Sequence, residues 1–315
     1  MSEHSPPVIF LMGPTASGKT DLAVSLADTS NCEIISVDSA MIYRGMDIGT
    51  AKPDSEILAQ APHHLIDIRN PDESYSVAEF CNDANSLIDQ IHQRNKIPLL
   101  VGGTIMYFHA LQFGITELPA ANADIRDQIE KTAKEFGWEY VHRQLADVDP
   151  ESAAKIHPND AQRIQRALEV FELSGVKLSS FHAAKATVRQ DISILNIGLF
   201  PEERSKLHHD IACRFKAMID DGVIGELEAL RQRWQLSPQM PSMRCIGYRQ
   251  IWSYLENEIS QEEMHDQAVA ATRQLAKRQL TWLRHYPETN LVDPYLTSTE
   301  SIKQQITCQI QASNW

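Results

Sequence analysis

Short apolar runs alternate with amphipathic stretches through the first third of the chain. Residues 8–12, 34–37 and 98–101 are almost wholly apolar, and each run ends at a glycine or an aspartate, which is typical of buried parallel strands. Residues 65–68 are a weaker candidate for a further strand. The sequence thus predicts a sheet of short strands covered on both faces.

Helical spacing occupies the intervals between these runs. Helices are expected at 21–27 and 105–113, and a longer one at 76–94. The longer helix opens with Ser76 three residues before Glu79, which is the arrangement of a capping box. Strands that alternate with helices predict an α/β fold, in which a parallel sheet carries helices on both faces.

The alternation stops near Leu118. Residues 122–185 show only helical patterns, of which the clearest has apolar residues at i, i+3, i+4 and i+7. We therefore expect an all-helical insertion domain at 118–189, within a core made of 1–117 and 190–315.

Strand character returns after the insertion, at 192–199. A helix is expected from Pro201, with Glu202 and Glu203 in its first turn. Helical patterns continue to about residue 286 and are followed by turn residues and a weak final helix.

Composition narrows the class of protein and argues against one kind of partner. With 315 residues, of which 43% are apolar and 23% charged, the chain can bury a large core. Its net charge of −13 is unfavourable for binding nucleic acid, since phosphates require clustered Lys and Arg. A nucleic-acid partner therefore requires local basic faces.

The cysteines and the apolar runs indicate a compartment. The five cysteines are scattered without a C-x-x-C pair, which argues against a cysteine zinc site and a disulfide framework. No run approaches the ~18 apolar residues of a membrane span, and no long apolar seam calls for a dimer. We expect a cytoplasmic monomer that does not bind membranes.

A phosphate-binding motif follows the first predicted strand. It fits G-x-x-x-x-G-K-[ST] between a strand and a helix, which is the context that the motif requires. In such a loop, backbone N–H groups and the lysine bind an anion, and the last hydroxyl can bind Mg²⁺. The motif predicts a P-loop NTPase-like core that binds a diphosphate or polyphosphate, without specifying ATP. Its residues are Gly13, Pro14, Thr15, Ala16, Ser17, Gly18, Lys19 and Thr20.

An acidic residue ends the second predicted strand. Many NTPases carry a metal-binding Asp after another apolar strand, but the run at 98–101 is followed by Gly102, Gly103 and Thr104. Asp38 instead lies at the carboxyl edge of the predicted sheet, where ligands bind in open α/β folds. Asp38 is interpreted as a metal ligand or a general base, with a helix N-cap role after the strand as the structural alternative.

One helical segment carries cations that the overall charge conceals. The helix expected at 263–284 contains Arg273, Lys277, Arg278 and Arg284 and no acid over its last twelve residues. On a helical wheel three of these cations form a positive stripe, which favours an anionic partner. The opposite, apolar side consists of Met264, Ala268, Ala271, Leu275 and Trp282.

Arginines elsewhere are open to two interpretations. Gln162, Arg163 and Arg166 share one side of an insertion helix, and Gln and Arg suit contacts to bases and phosphates. Arg214 lies at the edge of the apolar stripe of the helix expected after Pro201. A half-buried guanidinium needs an anionic partner, which is either a nearby carboxylate or a bound phosphate.

Eight segments together resemble one enzyme family, the tRNA dimethylallyltransferases, also called tRNA isopentenyltransferases. The likeness covers residues 8–286, and the blocks at 38–53 and 244–249 are far more specific than the phosphate loop, which many enzymes share. The zinc finger of the eukaryotic members has no counterpart, so the likeness is to the bacterial form. The segments are 13–20, 37–40, 43–53, 100–104, 157–160, 166–169, 244–249 and 272–279.

The resemblance implies transfer of a dimethylallyl group from dimethylallyl diphosphate to a tRNA. The acceptor is the exocyclic N6 amine of the adenosine on the 3′ side of the anticodon, in tRNAs that read codons beginning with U, and the product is isopentenyladenosine. The insertion would embrace the anticodon stem-loop. A base in a single-stranded loop can leave its stack at a cost of only a few kcal/mol.

The resemblance also assigns roles to residues. Asp38 is implied as the general base on the amine, with Thr104 near that amine. Thr15, Lys19, Thr20 and Arg214 would hold the diphosphate, with Mg²⁺ near Thr20. The implied tRNA contacts are Asp38, Ser39, Ala40, Met41, Thr104, Arg126, Gln162, Arg163, Ile164, Gln165, Arg166, Arg244, Cys245, Ile246, Gly247, Tyr248, Arg249, Lys277, Arg278, Gln279, Leu280, Thr281, Trp282, Leu283 and Arg284.

A second class of enzyme accounts for part of the pattern. A P-loop kinase of a nucleoside, nucleotide or other small metabolite explains the phosphate loop and Asp38 equally well. It does not explain the cations of the helix at 263–284 or the Gln/Arg face of the insertion. The predicted function is therefore the tRNA-modifying transferase, with the kinase as its alternative.

Overall fold

One parallel sheet organises the larger part of the molecule. The structure, a computed structural model, describes residues 5–116, 118–183 and 189–312. Its strands form a single sheet in the order β3-β2-β4-β1-β5-β6, and every neighbouring pair is parallel. The predicted α/β class is confirmed. The strands are β1 (Pro7–Met12), β2 (Cys32–Val37), β3 (His63–His64), β4 (Ile97–Gly102), β5 (Ser193–Leu199) and β6 (Thr289–Val292).

The helices follow the predicted alternation. The helix at Val77–Gln93 begins with the expected capping box, in which Ser76 and Glu79 exchange side-chain and backbone hydrogen bonds. The helices are α1 (Lys19–Thr29), α2 (Ser55–Gln60), α3 (Val77–Gln93), α4 (Ile105–Phe113), α5 (Ala123–Phe136), α6 (Trp138–Val148), α7 (Pro150–Lys155), α8 (Ala161–Ser174), α9 (Leu178–Ala183), α10 (Arg204–Asp220), α11 (Val223–Arg233), α12 (Tyr248–Leu255), α13 (Gln261–Arg284) and α14 (Thr299–Ala312).

Helices cover both faces of the sheet. On one face, alternate residues of β1 such as Ile9 and Leu11 pack with Leu22 of α1 and Ile306 of α14. On the other face Phe10 contacts Phe108 of α4, with ring centroids 5.0 Å apart. Because every β1 residue from Val8 to Met12 is fully buried, the strand is apolar on both sides, as the sequence predicted.

The strand predicted at 65–68 is wrong. Leu65 and Asp67 have φ values of 62° and 56°, which lie in the left-handed region and cannot continue a strand. The backbone N–H of Asp67 donates to the carbonyl of Met41, so this segment follows the loop after β2 and not the sheet edge. The strand lies just before it, where His63 and His64 pair with β2.

The elements after β5 differ from the prediction in two places. The helix expected from Pro201 begins only at Arg204, so Glu202 and Glu203 precede its first turn. The N–H of Glu202 instead donates to Oδ2 of Asp293, which ties this segment to the chain after β6. The tail also supplies β6, a four-residue strand that the turn-rich sequence did not indicate.

The described residues fall into two compact units. One contains the sheet and comprises the residues up to Gln112 and from Arg189 onward, and the other begins at Phe113. The second unit holds α5–α9 around its own apolar cluster, in which Val141, Leu145 and Ile164 are fully buried. The sequence placed the insertion at 118–189. Among the described residues no helix has the length and apolar composition that crossing a bilayer requires.

A buried carboxylate organises the helical unit. Glu169 has no exposed surface and accepts hydrogen bonds from the guanidinium groups of Arg126 and Arg166 and from the backbone N–H of Asn122. Burial raises the pKa of Glu169, but these donors outweigh it and the net pKa is lowered. Arg166 also donates to the carbonyl of Pro119. The two arginines thus neutralise an internal charge.

We predict that Glu169→Gln destabilises the helical unit by about 2 kcal/mol, because two charge-assisted hydrogen bonds are lost. Since the folded-state pKa is lowered, the stabilisation by Glu169 is present above its unfolded pKa and is lost as the pH falls through the folded value. Hydrogen exchange of amides in α5 and α8 measures the effect. The exposed Glu172→Gln on the same helix is the control, and equal exchange in both variants would contradict the prediction.

Candidate active site

A cavity of about 820 Å³ opens at the carboxyl ends of β1, β2 and β4. All of its lining residues belong to the sheet unit. In the sheet β4 lies between β2 and β1, so the connection from β1 to β2 and the connection from β4 to β5 run in opposite directions. The cavity lies where these connections diverge, which is where ligands bind in open α/β sheets. Its walls are the phosphate loop, the segments that follow β2 and β4, the 241–247 segment, and one face each of α10 and α13.

The phosphate loop has the backbone that its motif predicts. Ala16 and Gly18 have φ values of 61° and 78°, and this left-handed turn leads directly into α1. The Ser17 hydroxyl and the Lys19 ammonium both donate to the carbonyl of Pro14, at 2.8 and 2.5 Å. All residues from Thr15 to Thr20 line the cavity. The loop is therefore closed on itself around its own lysine, with its open side towards the cavity.

Two cations, Lys19 and Arg214, line this cavity. Among the described residues neither Lys19 nor Arg214 has an acid within ion-pair distance. The pKa of Lys19 falls to about 7 because of burial and, secondarily, the charge of Arg214, while Asp38 opposes the fall. Burial also lowers the pKa of Arg214, partly offset by Asp38 and Asp21. Of the two partners left open for Arg214, this favours a bound phosphate.

Asp38 combines a structural bond with a free face. Its Oδ1 accepts from the backbone N–H groups of Ala40 and Met41, at 2.8 and 3.3 Å, which turns the chain after β2. No described residue donates to Oδ2, and Asp38 lines the cavity. The N-cap alternative is wrong, because the next helix, α2, begins only at Ser55. Oδ1 instead holds a turn, and the other oxygen remains for a ligand.

The segment after β4 lies close to Asp38. Thr104 Oγ1 accepts from the backbone N–H of Ser39 at 3.2 Å. A Cβ on Gly102 would lie 2.0 Å from the carbonyl oxygen of Val37, so only glycine allows β2 and β4 to approach this closely. The predicted neighbours Asp38 and Thr104 are therefore held together by backbone packing.

A buried glutamine joins the phosphate loop to the end of β4. Gln279 of α13 accepts from the backbone N–H of Thr15 at 3.1 Å and donates to the carbonyl of Gly103 at 2.8 Å. Its side chain is only 7% exposed but lines the cavity, so its predicted contact with tRNA stays a prediction. No sequence pattern indicated its role in joining the two loops, because both partners are backbone atoms far away in the chain.

The predicted positive stripe of α13 does not face the cavity. Arg273 packs against α10, where it donates to the carbonyl of His208 and leaves its buried Nε unpaired among the described residues. Arg284 covers the ring of Phe200. The cation on the cavity face is Arg278, which lies one turn from Leu275.

The predicted apolar side of α13 faces the core along its first half and the cavity along its second half. Met264 and Ala268 in the first half are fully buried in the core. Leu275 and Trp282, which continue the same line, border the cavity, and Trp282 is 48% exposed. An apolar stripe therefore marks both the core and the rim of the site.

Several predicted tRNA contacts have buried side chains in this structure, and their contact with tRNA stays a prediction. The tRNA contacts were predicted as continuous segments, and a continuous helical segment always includes residues that face the protein interior. Tyr248 is fully buried and donates to Glu226 at 2.5 Å, and burial raises its pKa. The other buried members are Ile164, Gly247, Leu280 and Leu283, with Gln279 described above, and of these Gly247 and Gln279 line the cavity. The guanidinium groups of Arg126 and Arg166 are bonded to Glu169, and contact of these two residues with tRNA also stays a prediction.

The remaining predicted contacts are accessible. Ser39, Ala40, Met41, Arg244 and Ile246 line the cavity. Cys245 does so as well, and burial raises its pKa to about 12, which keeps the thiol protonated. Gln165 is half-buried and donates to the backbone of Arg126 and to Glu130. Contact with tRNA stays a prediction for these residues and for Gln162, Arg163, Arg249, Lys277, Arg278, Thr281, Trp282 and Arg284.

The specific segment at 43–53 is a scaffold for the cavity wall. Glu226 of α11 accepts from three successive backbone N–H groups, those of Asp47, Ile48 and Gly49, at 2.7 to 3.1 Å. A Cβ on Gly49 would lie 2.6 Å from the ring of Tyr248, so this position requires glycine. Sequence reasoning missed Glu226, because these three N–H groups are backbone atoms distant in the chain.

The donors in the cavity are compatible with Mg²⁺ held mainly by a ligand. Within 5–116, 118–183 and 189–312, no group of three His, Cys, Asp or Glu could hold a metal ion alone. Mg²⁺ commonly uses one or two protein oxygens together with substrate phosphates. The hydroxyl of Thr20, at the start of α1 and on the cavity wall, suits that arrangement.

The chain matches the family model described as IPP transferase over residues 41–286. It is 52% identical to a tRNA dimethylallyltransferase of Thioalkalivibrio sulfidiphilus and 51% identical to tRNA dimethylallyltransferase 2 of Hahella chejuensis, each over 98% of this chain and 97% of the relative. The crystal structure of the tRNA isopentenylpyrophosphate transferase from Bacillus halodurans has a TM-score of 0.71 and 36% identity, over 98% of this chain and 96% of that one. A eukaryotic dimethylallyltransferase acting on tRNA has a TM-score of 0.79 and 26% identity, over 96% of this chain and 78% of that one.

We predict that anion binding takes up a proton through Lys19. A bound diphosphate raises the lysine pKa from about 7, so close to one proton is taken up at pH 8 and little at pH 6, and the affinity falls as the pH rises. Calorimetric titration with methyl diphosphate in buffers of different ionisation enthalpy measures the uptake. Lys19→Arg, which does not titrate in this range, is the control, and equal uptake in both proteins at pH 8 would contradict the assignment.

We also predict that Gln279→Glu weakens the binding of methyl diphosphate roughly tenfold. The carboxylate keeps the bond from Thr15 N–H but loses the donor to Gly103, which costs about 1.5 kcal/mol. Gln274→Glu makes the same charge change on an exposed position of α13. If both variants bind equally well, Gln279 does not hold the loop.

Proposed function

The chain belongs to the IPP transferase family, and we propose that it transfers a dimethylallyl group from dimethylallyl diphosphate to tRNA. The acceptor is the exocyclic N6 amine of the adenosine on the 3′ side of the anticodon, in tRNAs that read codons beginning with U. The product is isopentenyladenosine. The observation that carries this proposal is a cavity in which Lys19 and Arg214, which have no ion-pair partner among the described residues, lie in the same space as Asp38.

The cations act on the leaving group. As the bond between the dimethylallyl carbon and the diphosphate oxygen breaks, negative charge develops on the diphosphate. Lys19, Arg214 and the N–H groups of the phosphate loop are already in place to stabilise it, and their desolvation strengthens the interaction. The hydroxyl of Thr15 borders the same space and is assigned to the diphosphate.

Asp38 acts on the acceptor. An adenine N6 amine is a weak nucleophile, and the proton that it carries must leave when the new N–C bond forms. Oδ2 of Asp38, which no described residue occupies, receives that proton, while Oδ1 is held by the loop after β2. Thr104, tied to Ser39, lies beside Asp38 and is assigned to the amine side of the cavity.

The diphosphate would also carry a metal ion. The hydroxyl of Thr20 and the diphosphate oxygens would hold Mg²⁺, which would neutralise part of the charge of the leaving group.

The tRNA surface is assigned to exposed residues around the cavity and on the helical unit. Arg244, Arg249 and Arg278 are exposed cations of the sheet unit, and Arg163 is exposed on α8 of the helical unit. Together with a target base in a single-stranded loop, such contacts give binding that depends on salt. The net charge of −13 does not exclude this, because it is a sum over the whole chain and phosphate contacts need only local cations.

We predict that Asp38→Asn lowers kcat for tRNA prenylation by about 10² to 10⁴-fold, because the amide cannot accept the amine proton. Its Oδ1 still accepts from Ala40 and Met41, so the fold and the affinity for dimethylallyl diphosphate are retained. The assay follows label from dimethylallyl diphosphate into unmodified tRNA in the presence of Mg²⁺.

The control is Asp28→Asn, which removes an acid from the exposed side of α1 and should keep full activity. A kinase would instead consume ATP with a small acceptor and leave the tRNA unlabelled, an outcome that would overturn the proposed function. Full activity of Asp38→Asn would leave the transferase in place but remove Asp38 as its base.

A further inference from the structure

One face of α10 combines a cation with apolar side chains. Ile211, Arg214, Phe215 and Met218 are spaced i, i+3, i+4 and i+7, so they share a face, and all four line the cavity. Ile211 and Phe215 are only 2% and 6% exposed, and they pack in the cluster between α10 and α13. This wall therefore presents a guanidinium group and an apolar surface one helical turn apart.

The apolar surface continues on both sides of the cations. Ala16 of the phosphate loop packs against the same α10–α13 cluster, three residues before Lys19. Leu275 lines the cavity from α13. A ligand whose anionic head lies between Lys19 and Arg214 thus meets apolar side chains directly beside that head.

Phe215 is confined from two directions. Its ring lies 3.6 Å from where a Cβ on Gly247 would be, and 5.8 Å from the ring of His265 of α13, between centroids. The N–H of Gly247 donates to the buried side chain of Gln250, which holds that backbone in place. The ring therefore has little room to turn away from the cavity.

We infer that Ile211, Phe215 and Met218 bind the hydrocarbon tail of the diphosphate substrate, and that Phe215 limits this tail to five carbons. The inference rests on the proposed function, since the tail is the dimethylallyl group. The head is fixed by Lys19 and Arg214, so a longer tail extends into the space that the Phe215 ring fills. Apolar walls that cannot relax discriminate against extra carbons.

The test compares two diphosphates as prenyl donors to tRNA. Phe215→Ala and the milder Phe215→Leu should raise kcat/KM for geranyl diphosphate relative to dimethylallyl diphosphate at least tenfold over the parent protein. Leu207→Ala is the matched control: Leu207 is 1% exposed, belongs to the same cluster and does not line the cavity. Circular dichroism establishes that each variant is folded.

A binding measurement isolates the tail from the reaction. Dimethylallyl diphosphate should bind the parent protein more tightly than methyl diphosphate, since each buried methylene raises the affinity by about fourfold. Met218→Ala, which leaves the phosphate loop intact, should reduce this preference at least threefold and leave the affinity for methyl diphosphate unchanged. The control variant Leu207→Ala should keep the preference of the parent protein.

The outcomes separate the inference from the proposed function. If the parent protein prenylates tRNA but the Phe215 variants keep its donor ratio and Met218→Ala keeps its binding preference, the tail lies elsewhere and the inference fails. If the parent protein transfers nothing to tRNA, the proposed function fails. In that case the binding measurement still decides whether this wall holds an alkyl tail.

Discussion

The cavity depends on two half-buried cations, Lys19 and Arg214, which form no ion pair with any carboxylate of the described residues. They repel each other, and burial together with this repulsion brings the pKa of Lys19 down to about 7. They stay together because the phosphate loop, α1 and α10 are fixed by the sheet and by apolar packing, which tolerate this local cost. A diphosphate relieves the desolvation and the repulsion at once, so the same feature that destabilises the empty site gives the site its specificity for an anion.

In the helical unit, by contrast, the arginines are paired with a buried carboxylate. There, Glu169 engages Arg126 and Arg166, and the charges cancel inside the unit. An arginine with a buried carboxylate contributes to stability, whereas Arg214, with none among the described residues, is available to a ligand. This distribution explains how a chain of net charge −13 holds a site for a diphosphate: the overall sum does not indicate where the acids lie.

Side chains from distant helices hold the backbone of the loops around the cavity. Glu226 accepts hydrogen bonds from three N–H groups of the 43–53 segment, and Gln279 joins the phosphate loop to the end of β4. Lys52, with only 3% of its side chain exposed, donates to Asp47 and Asp67. The residues that make the 43–53 segment distinctive therefore act mainly as supports, and the chemistry is left to Asp38, Lys19 and Arg214.

The sequence by itself determined the alternation of strands and helices, the phosphate loop and the position of Asp38, because each of these follows from local periodicity or from a turn of fixed chemistry. It also placed Arg214 on an apolar stripe, but the absence of a described carboxylate partner became visible only in the fold. Tertiary structure alone decided that Arg278 and not Arg273 faces the cavity, that Gln279 is internal, and that the third strand lies at His63–His64. A helical wheel fixes the angles between side chains but not the direction in which the helix is turned, and hydrogen bonds to distant backbone atoms leave no pattern in the sequence.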